Sequence, residues 1–283
     1  MTNNSDLPVP VSHRSKRKRI ILKWLKIIII IYCSIGIILY YTQEKFLFHP
    51  RALPYNYMYS FKDSFKEVNI QMNKNDMLNM VQFFPVSITR GVVLYFHGNM
   101  ENINHYAEYA SNFTRMGYQV WMPDYPGFGK SNGDLTEEKL YQVAAETYKL
   151  ARSKYAGDSI IIYGKSLGTG IAAQLASRVQ CRRLILESPY YSIPDLFSAY
   201  APIYPTKSMA HFKIPTIDYL SEITAPITIF HGTDDGVIPY SRSLKLKQVL
   251  KKDDQFIPID LGNHNDLNSF GLFHHILDSL LDR

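Results

Sequence analysis

Ser159-Ile160-Ile161-Ile162-Tyr163-Gly164-Lys165-Ser166-Leu167-Gly168 is the stretch whose reading decides the architecture. Its first five residues form a short apolar run of the kind that becomes a strand. Beyond Gly168, residues Ile171, Ala172, Leu175, Ala176 and Val179 fall on one face of a helix. Between strand and helix stands G-x-S-x-G. Alone that motif is common, but on a sharp strand-to-helix turn it has a mechanical meaning. The serine hydroxyl projects from the end of the sheet, and the two glycines omit side chains that would strike the neighbouring strand and helix. A helix N-terminus also favours negative charge forming at Ser166. The competing reading is a plain helix start.

Working outward, Lys66–Met72 and Met77–Phe84 read as a hairpin about the polar turn Asn73–Asp76. Gly91–His97 is apolar throughout, as expected for a strand covered on both faces. A helix follows with Tyr106, Tyr109, Ala110 and Phe113 on one side, closed by Gly117. Tyr118–Pro123 is the next strand. The glycine-rich loop Tyr125–Gly133 then leads into a helix with Leu140, Val143, Ala144 and Ala151 inward. Arg183–Glu187, Ile227–His231 and Phe256–Leu261 are further strands, and Pro258 suits a sheet edge. A helix is expected near Ser243–Lys251, and a final one with Phe273, Ile276, Leu277 and Leu280 inward. Ser188–Leu220 is rich in Pro, Tyr and Phe without a clean period, and reads as an inserted cap. Such alternation implies a mostly parallel sheet with helices on both faces and function at the carboxyl ends of its strands.

A serine hydroxyl needs a base to take its proton, and a histidine base needs a carboxylate to orient it. In a strand–turn–helix setting these follow the serine as acid, then histidine. His231-Gly232-Thr233-Asp234-Asp235, after the strand Ile227–Phe230, offers two acids. Gly262-Asn263-His264, after the last strand, offers the base. His274 and His275 lie within the last helix, His211 in the cap, His49 beside the apolar N-terminal run and His105 at a helix start. His264 alone meets both requirements. No H-E-x-x-H, paired cysteines, P-loop or dinucleotide fingerprint occurs, so no cofactor and no metal is expected. Cys181 opens a strand and reads as a small packing residue.

The net charge of +6 is concentrated in one place. Arg14, Lys16, Arg17, Lys18, Arg19, Lys23 and Lys26 face only Asp6 within residues 1–26. The 31 bases and 25 acids of the chain thereby become 24 of each for the remainder. A nucleic-acid binder carries its basic face on the folded domain, so no nucleic-acid partner is expected. Ile20 to Tyr41 is almost wholly apolar, with Trp24 and Tyr40–Tyr41 near its ends, as interfacial aromatics lie. Lys23 and Lys26 can snorkel to the headgroups. A cleaved signal peptide competes with an uncleaved anchor, but no A-x-A site follows the run, and the anchor is preferred. The expected organisation is a basic cytoplasmic tail (1–19), a transmembrane anchor (20–41), a juxtamembrane linker (42–64) and a catalytic domain (65–283). By the positive-inside rule the domain lies across the membrane, in a periplasm, lumen or the exterior.

The chain resembles the α/β-hydrolase superfamily, in particular its membrane-anchored α/β-hydrolase domain-containing serine hydrolases. The resemblance rests on His97-Gly98-Asn99, Asp124-Tyr125-Pro126-Gly127-Phe128-Gly129, Gly164-Lys165-Ser166-Leu167-Gly168, Glu187-Ser188-Pro189, His231-Gly232-Thr233-Asp234-Asp235-Gly236-Val237-Ile238-Pro239 and Gly262-Asn263-His264-Asn265-Asp266. It runs from about Gln43 to the C-terminus. It implies the α/β-hydrolase fold and a Ser166–Asp235–His264 triad, Asp235 being four residues after the histidine of its His-Gly pair. It also implies an oxyanion hole of two backbone N–H groups, at Leu167 and at Asn99, with Gly98 the lesser candidate. His97 is expected to shape its loop, and Asp124 to hydrogen bond within the glycine-rich loop. The reaction implied is hydrolysis of an acyl ester or thioester on a small-molecule or lipid-like substrate. A depalmitoylating thioesterase or a peptidase of the same fold is the alternative within enzymes, and a catalytically silent, membrane-tethered binding protein the alternative outside them. The sequence carries no sign of oligomeric state.

Overall fold

The computed structural model describes residues 13–282. It divides into two compact units, Met1–Glu44 and Lys45–Arg283. One helix, α1, runs His13–Leu47, its last three residues belonging to the second unit. Residues 1–12 of the expected basic tail lie outside the described residues. Helix α1 is long and apolar enough to cross a membrane over Arg17–Leu47. At 1.5 Å rise per residue, the 22 residues from Ile20 to Tyr41 span about 33 Å, slightly more than a hydrocarbon core. Its apolar side chains, Ile28 to Ile31 among them, stand exposed.

The second unit is built on an eight-stranded sheet. Its strands are β2 (Phe65–Gln71), β3 (Met77–Phe83), β4 (Gly91–Phe96), β6 (Tyr118–Pro123), β7 (Ile160–Lys165), β8 (Arg183–Glu187), β9 (Ile227–Gly232) and β10 (Gln255–Ile259). They lie in the order β10-β9-β8-β7-β4-β6-β3-β2. The β2–β3 hairpin is antiparallel and β3 pairs antiparallel to β6; every other pairing is parallel. The hairpin turn is closed by the Asn73 Oδ1, which accepts from the N–H groups of Asn75 and Asp76 at 2.9 and 3.0 Å. Pro258 sits in β10, at the sheet edge.

Successive residues of the central strands enter opposite cores, as the period of two demands. Val92, Leu94, Phe96, Ile160, Ile162, Leu184 and Leu186 join one cluster with Leu140, Val143 and Ile171. These last come from α4 (Glu137–Arg152) and α5 (Leu167–Ala176). Val93, Tyr95, Ile161, Tyr163 and Ile185 enter the other with Ile103, Ala110, Phe113, Phe273 and Leu277. That layer comes from α10 (Gly271–Asp282) and from a helical stretch 103–114. The stretch comprises α2 (Ile103–Tyr106), a 3₁₀ turn and α3 (Ser111–Thr114). Gly117 follows at φ 86°, its N–H donating to the Thr114 carbonyl.

Three short helices, α6 (Ile193–Tyr200), α7 (Thr206–Met209) and α8 (Thr216–Glu222), occupy the cap between β8 and β9. The helix expected near Ser243–Lys251 instead begins earlier, as α9 (Tyr240–Ser243), and continues as 3₁₀ to Val249. Pro239 sets the start, its fixed φ suiting a helix entry, and Asp254 ends the stretch by accepting the Lys251 N–H.

Residues 45–64, most of the expected linker, are folded onto the sheet. Leu47 and Phe48 are buried, and Phe48 meets the cap residue Phe212 with ring centroids 4.7 Å apart. A two-residue strand, β1 (His49–Pro50), pairs parallel with β5 (Met100–Glu101). The Tyr59 hydroxyl donates to Asn79 Oδ1 at 2.9 Å, and Phe61 packs on Phe65 and Phe83.

Candidate active site

Four strand ends converge. Ser166 follows β7 at φ 50°, a region that costs a non-glycine residue on the order of 1–3 kcal/mol. Its surroundings hold it there: its N–H donates to the Glu187 carbonyl at 2.9 Å, and its carbonyl accepts from the N–H of Thr169. A Cβ at Gly164 would lie 2.5 Å from the Gly168 carbonyl oxygen, and one at Gly168 would lie 2.0 Å from that of Phe96. Only glycine at both positions lets β7, α5 and β4 approach this closely.

His264, in the loop after β10, places Nε2 2.9 Å from Ser166 Oγ and Nδ1 2.8 Å from Asp235 Oδ2. All three residues are buried. The structure therefore brings Ser166, Asp235 and His264 together. Asp234, exposed, stays outside the constellation. Asp235 Oδ1 accepts the N–H groups of Val237 and Ile238 at 2.9 and 2.7 Å. Burial alone would raise the Asp235 carboxyl; the His264 hydrogen bond and charge, with the Ile238 N–H, outweigh it and hold the carboxyl below its usual value.

His231, which in the sequence serves only to place Asp235, is a buried neighbour of that acid. Its Nε2 lies 2.9 Å from the Ile238 carbonyl and 3.4 Å from Asp235 Oδ2. A carbonyl only accepts, so Nε2 carries the proton. Burial lowers the His231 pKa, which keeps the ring neutral.

Leu167 opens α5, so its N–H has no acceptor within the helix. The His97-Gly98-Asn99 loop lies beside the nucleophile: a Cβ at Gly98 would be 3.6 Å from Ser166 Cβ. His97 is fully buried between Tyr106 and Tyr125, with Nδ1 2.8 Å from the Gly98 carbonyl and Nε2 3.3 Å from Asp124 Oδ1. Asp124 bonds within the glycine-rich loop through its backbone, its carbonyl accepting from the Ser131 hydroxyl at 2.8 Å, but its side chain is directed elsewhere. Its Oδ1 accepts the Ile103 N–H at 3.0 Å, so the side chain ties down α2 rather than the glycine-rich loop. The loop's share is Gly129, where a Cβ would lie 1.9 Å from Asp124 Oδ2. Burial raises the Asp124 carboxyl, against the lowering contacts from His97 and the Ile103 N–H.

Beneath the elbow, buried Lys165 pairs with Glu187, whose second oxygen accepts from the Tyr163 hydroxyl. Sequence reasoning gave this cluster no role, since Lys165 occupies a variable place in the motif. Cys181 is buried and its thiol is pushed up to about 12 by burial, which leaves it a packing group. Among the described residues no cluster of three or more His, Cys, Asp or Glu could hold a metal ion.

Known proteins place this geometry in a wider group. The family model for serine aminopeptidase S33 hydrolases matches residues 87–217. The chain is 30% identical over 190 residues to α/β-hydrolase domain-containing protein 17C of Xenopus tropicalis, covering 65% of this chain and 59% of that protein. It is 31% identical over 186 residues to human protein 17B, covering 64% of this chain and 62% of that one. The chain thus matches about three-fifths of these relatives' length. Among solved structures, an esterase of Pyrococcus furiosus superposes with a TM-score of 0.65 at 18% identity, covering 83% of this chain and 98% of the esterase. The mouse α/β-hydrolase domain-containing protein 10 superposes with a TM-score of 0.56 at 18% identity, covering 77% and 97%. Sheet order, elbow, family match and relatives agree: this chain belongs to the α/β-hydrolase superfamily.

Proposed function

We propose that this hydrolase is a membrane-anchored serine enzyme that cleaves acyl esters or thioesters through an acyl-enzyme. The observation that carries the reading is the 2.9 Å approach of His264 Nε2 to Ser166 Oγ, with Asp235 on the other side of the ring. Ser166 Oγ attacks the acyl carbonyl while His264 takes its proton. Asp235 accepts from Nδ1–H and stabilises the imidazolium that forms. The N–H groups of Asn99 and Leu167 receive the oxyanion, each worth about 3 kcal/mol of transition-state stabilisation. His264 returns the proton to the leaving group, and water then releases the acid.

An aminopeptidase, the activity the matching family model is named for, needs an uncompensated carboxylate to receive an α-amino group. Here Glu187 is paired with Lys165, Asp195 with Arg242 and Lys245, and Asp124 faces His97. Those commitments favour the ester or thioester reading. A silent binding protein has no use for an aligned triad. The basic block before the apolar run supports a cytoplasmic N-terminus and a catalytic domain on the far side.

One labelling experiment tests nucleophile and sidedness together. A charged, membrane-impermeant fluorophosphonate, applied to the non-cytoplasmic face of intact vesicles or spheroplasts, should label the chain on the peptide containing Ser166. A Ser166→Ala chain should stay unlabelled. Undiminished labelling of Ser166→Ala overturns the nucleophile, and labelling only after detergent overturns the orientation.

The substrate class rests on the anchor and the cap. Phe197, Tyr200, Tyr204, Met209 and Phe212 give the cap an apolar character suited to an acyl chain. Phe212 is taken up against Phe48, and the Tyr200 hydroxyl is bonded to the Val237 carbonyl, so part of this set fastens the cap. With each buried methylene worth up to about 0.8 kcal/mol, kcat/KM should rise from acetate toward medium-chain p-nitrophenyl esters, assayed below their micellar limits. A decline with every added methylene rules out an acyl pocket and leaves the triad untouched.

A further inference from the structure

The segment by which the chain leaves α1 is bonded to the loop beside the nucleophile, and four backbone-directed contacts make the connection. The Asn99 side-chain amide donates to the Leu47 carbonyl at 2.7 Å, and the His49 N–H donates to the Asn99 carbonyl at 2.8 Å. The Arg51 N–H donates to the Glu101 carbonyl at 2.9 Å, and the Asn102 amide donates to the Arg51 carbonyl at 2.9 Å. The same strap reaches the glycine-rich loop, where Gly129 N–H donates to the Arg51 carbonyl at 3.0 Å and Leu53 N–H to the Gly129 carbonyl at 2.7 Å.

The loop so held is strained. Glu101 stands at φ 59°, a left-handed conformation unfavourable for a residue with a Cβ. A residue in that state persists only where its surroundings over-determine it. The β1–β5 pairing supplies that constraint. The Arg51–Glu101 side-chain pair adds little, being exposed at 3.4 Å. Leu47 and Phe48, buried in the core, fix the strap itself.

We propose that the strap Leu47–Leu53 is a positioning element of the oxyanion site: its backbone fixes the loop that presents the Asn99 N–H to the reacting carbonyl. The inference rests on the assignment of Ser166 as nucleophile and Asn99 as donor made above. Leu47, His49 and Arg51 act through Asn99 and touch no substrate. Oxyanion donors work because they are fixed before charge develops. A loop released from the strap binds substrate as before and stabilises the transition state less, so the loss falls on kcat.

Two variants of the full chain, in detergent, test this. His49→Pro deletes the N–H that reaches the Asn99 carbonyl and alters an exposed side chain. Asn99→Ala deletes the amide that reaches Leu47 and keeps the backbone N–H. End-point fluorophosphonate titration counts competent Ser166 sites, so kcat is taken per site and is independent of folded fraction. Both variants should show kcat per site lowered 10- to 100-fold with KM within twofold, part of the 10²–10³ that loss of a whole donor costs. A kcat per site within twofold of the parent chain in either variant, or a loss confined to KM, overturns the proposal. Absence of labelling at Ser166 in the parent chain removes the underlying reading as well, which distinguishes the two failures.

Discussion

Asp235→Asn should lower kcat by about 10⁴-fold, roughly 5 kcal/mol of barrier, while Asp234→Asn changes it less than about tenfold. The local hydrogen bonds explain why the effect is so large. Asp235 Oδ1 accepts two backbone N–H groups, from Val237 and Ile238. An asparagine there must keep its carbonyl oxygen toward those donors, because its NH₂ would face two N–H groups and bond neither. Its NH₂ is then turned to His264 Nδ1. That nitrogen must become an acceptor, so the ring's proton moves to Nε2, 2.9 Å from Ser166 Oγ. A base that already holds its proton cannot take the serine's. Asp234 is exposed, and its backbone N–H, which donates to the Gly262 carbonyl at 3.0 Å, survives the substitution. Steady-state kinetics on the two variants decides the matter, and the reverse ranking would assign the acid to Asp234.

Gly168→Ala should be destabilising by about 3 kcal/mol or more, lowering Tm by roughly 6–12 °C for a chain of this size. The added methyl would stand 2.0 Å from the Phe96 carbonyl oxygen and 2.6 Å from that of His97. Both are backbone atoms at the end of β4, with no rotamer to escape into, so the strand or α5 must move. Moving that strand end displaces the loop carrying Asn99, and the folded fraction should lose kcat as well. Gly271→Ala is the matched control: its Cβ meets nothing within 4 Å at the start of α10, and Tm should hold or rise slightly. A Gly168→Ala chain melting with the parent would show that the close approach of α5 to β4 is not needed.

The parts of this molecule legible in its sequence are those where local pattern and global structure agree. Tyr118–Pro123 and Arg183–Glu187 coincide with β6 and β8 because apolar runs between turn residues have one sensible place in a doubly covered sheet. Leu140, Val143, Ala144 and Ala151 lie buried on α4 for the same reason, the helical period selecting one face. Ser166 and His264 could be chosen by chain order and strand ends alone. The choice between Asp234 and Asp235 needed the family resemblance, since adjacent residues share every local signal. Less visible were contacts between segments distant in sequence. Residues 45–64 carry little periodicity and read as linker, yet Leu47 bonds to Asn99, 52 residues on. The Asp124 carboxylate holds Ile103, on another element, while only its carbonyl, accepting from the Ser131 hydroxyl, bonds within its own loop. His231 and the Lys165–Glu187 pair were hidden because nothing in a one-dimensional pattern says which polar side chains face each other in a buried space.

If the proposed anchor holds the chain to a membrane, the proline in β10 bears on how many such chains can share it. The Ile259 carbonyl accepts from the Thr233 N–H at 3.0 Å, so Ile259 faces β9 and its neighbour Pro258 faces away. On the open side of this five-residue strand, Phe256 and Pro258 are the outward residues, and only Phe256 has an N–H to offer. Anchored proteins diffuse in two dimensions, where encounters between like edges are frequent and pre-aligned. An unbroken row of donors there would invite strand exchange between neighbours and growth of a shared sheet. One missing hydrogen interrupts that row, so crowding on a membrane surface need not end in aggregation along this border.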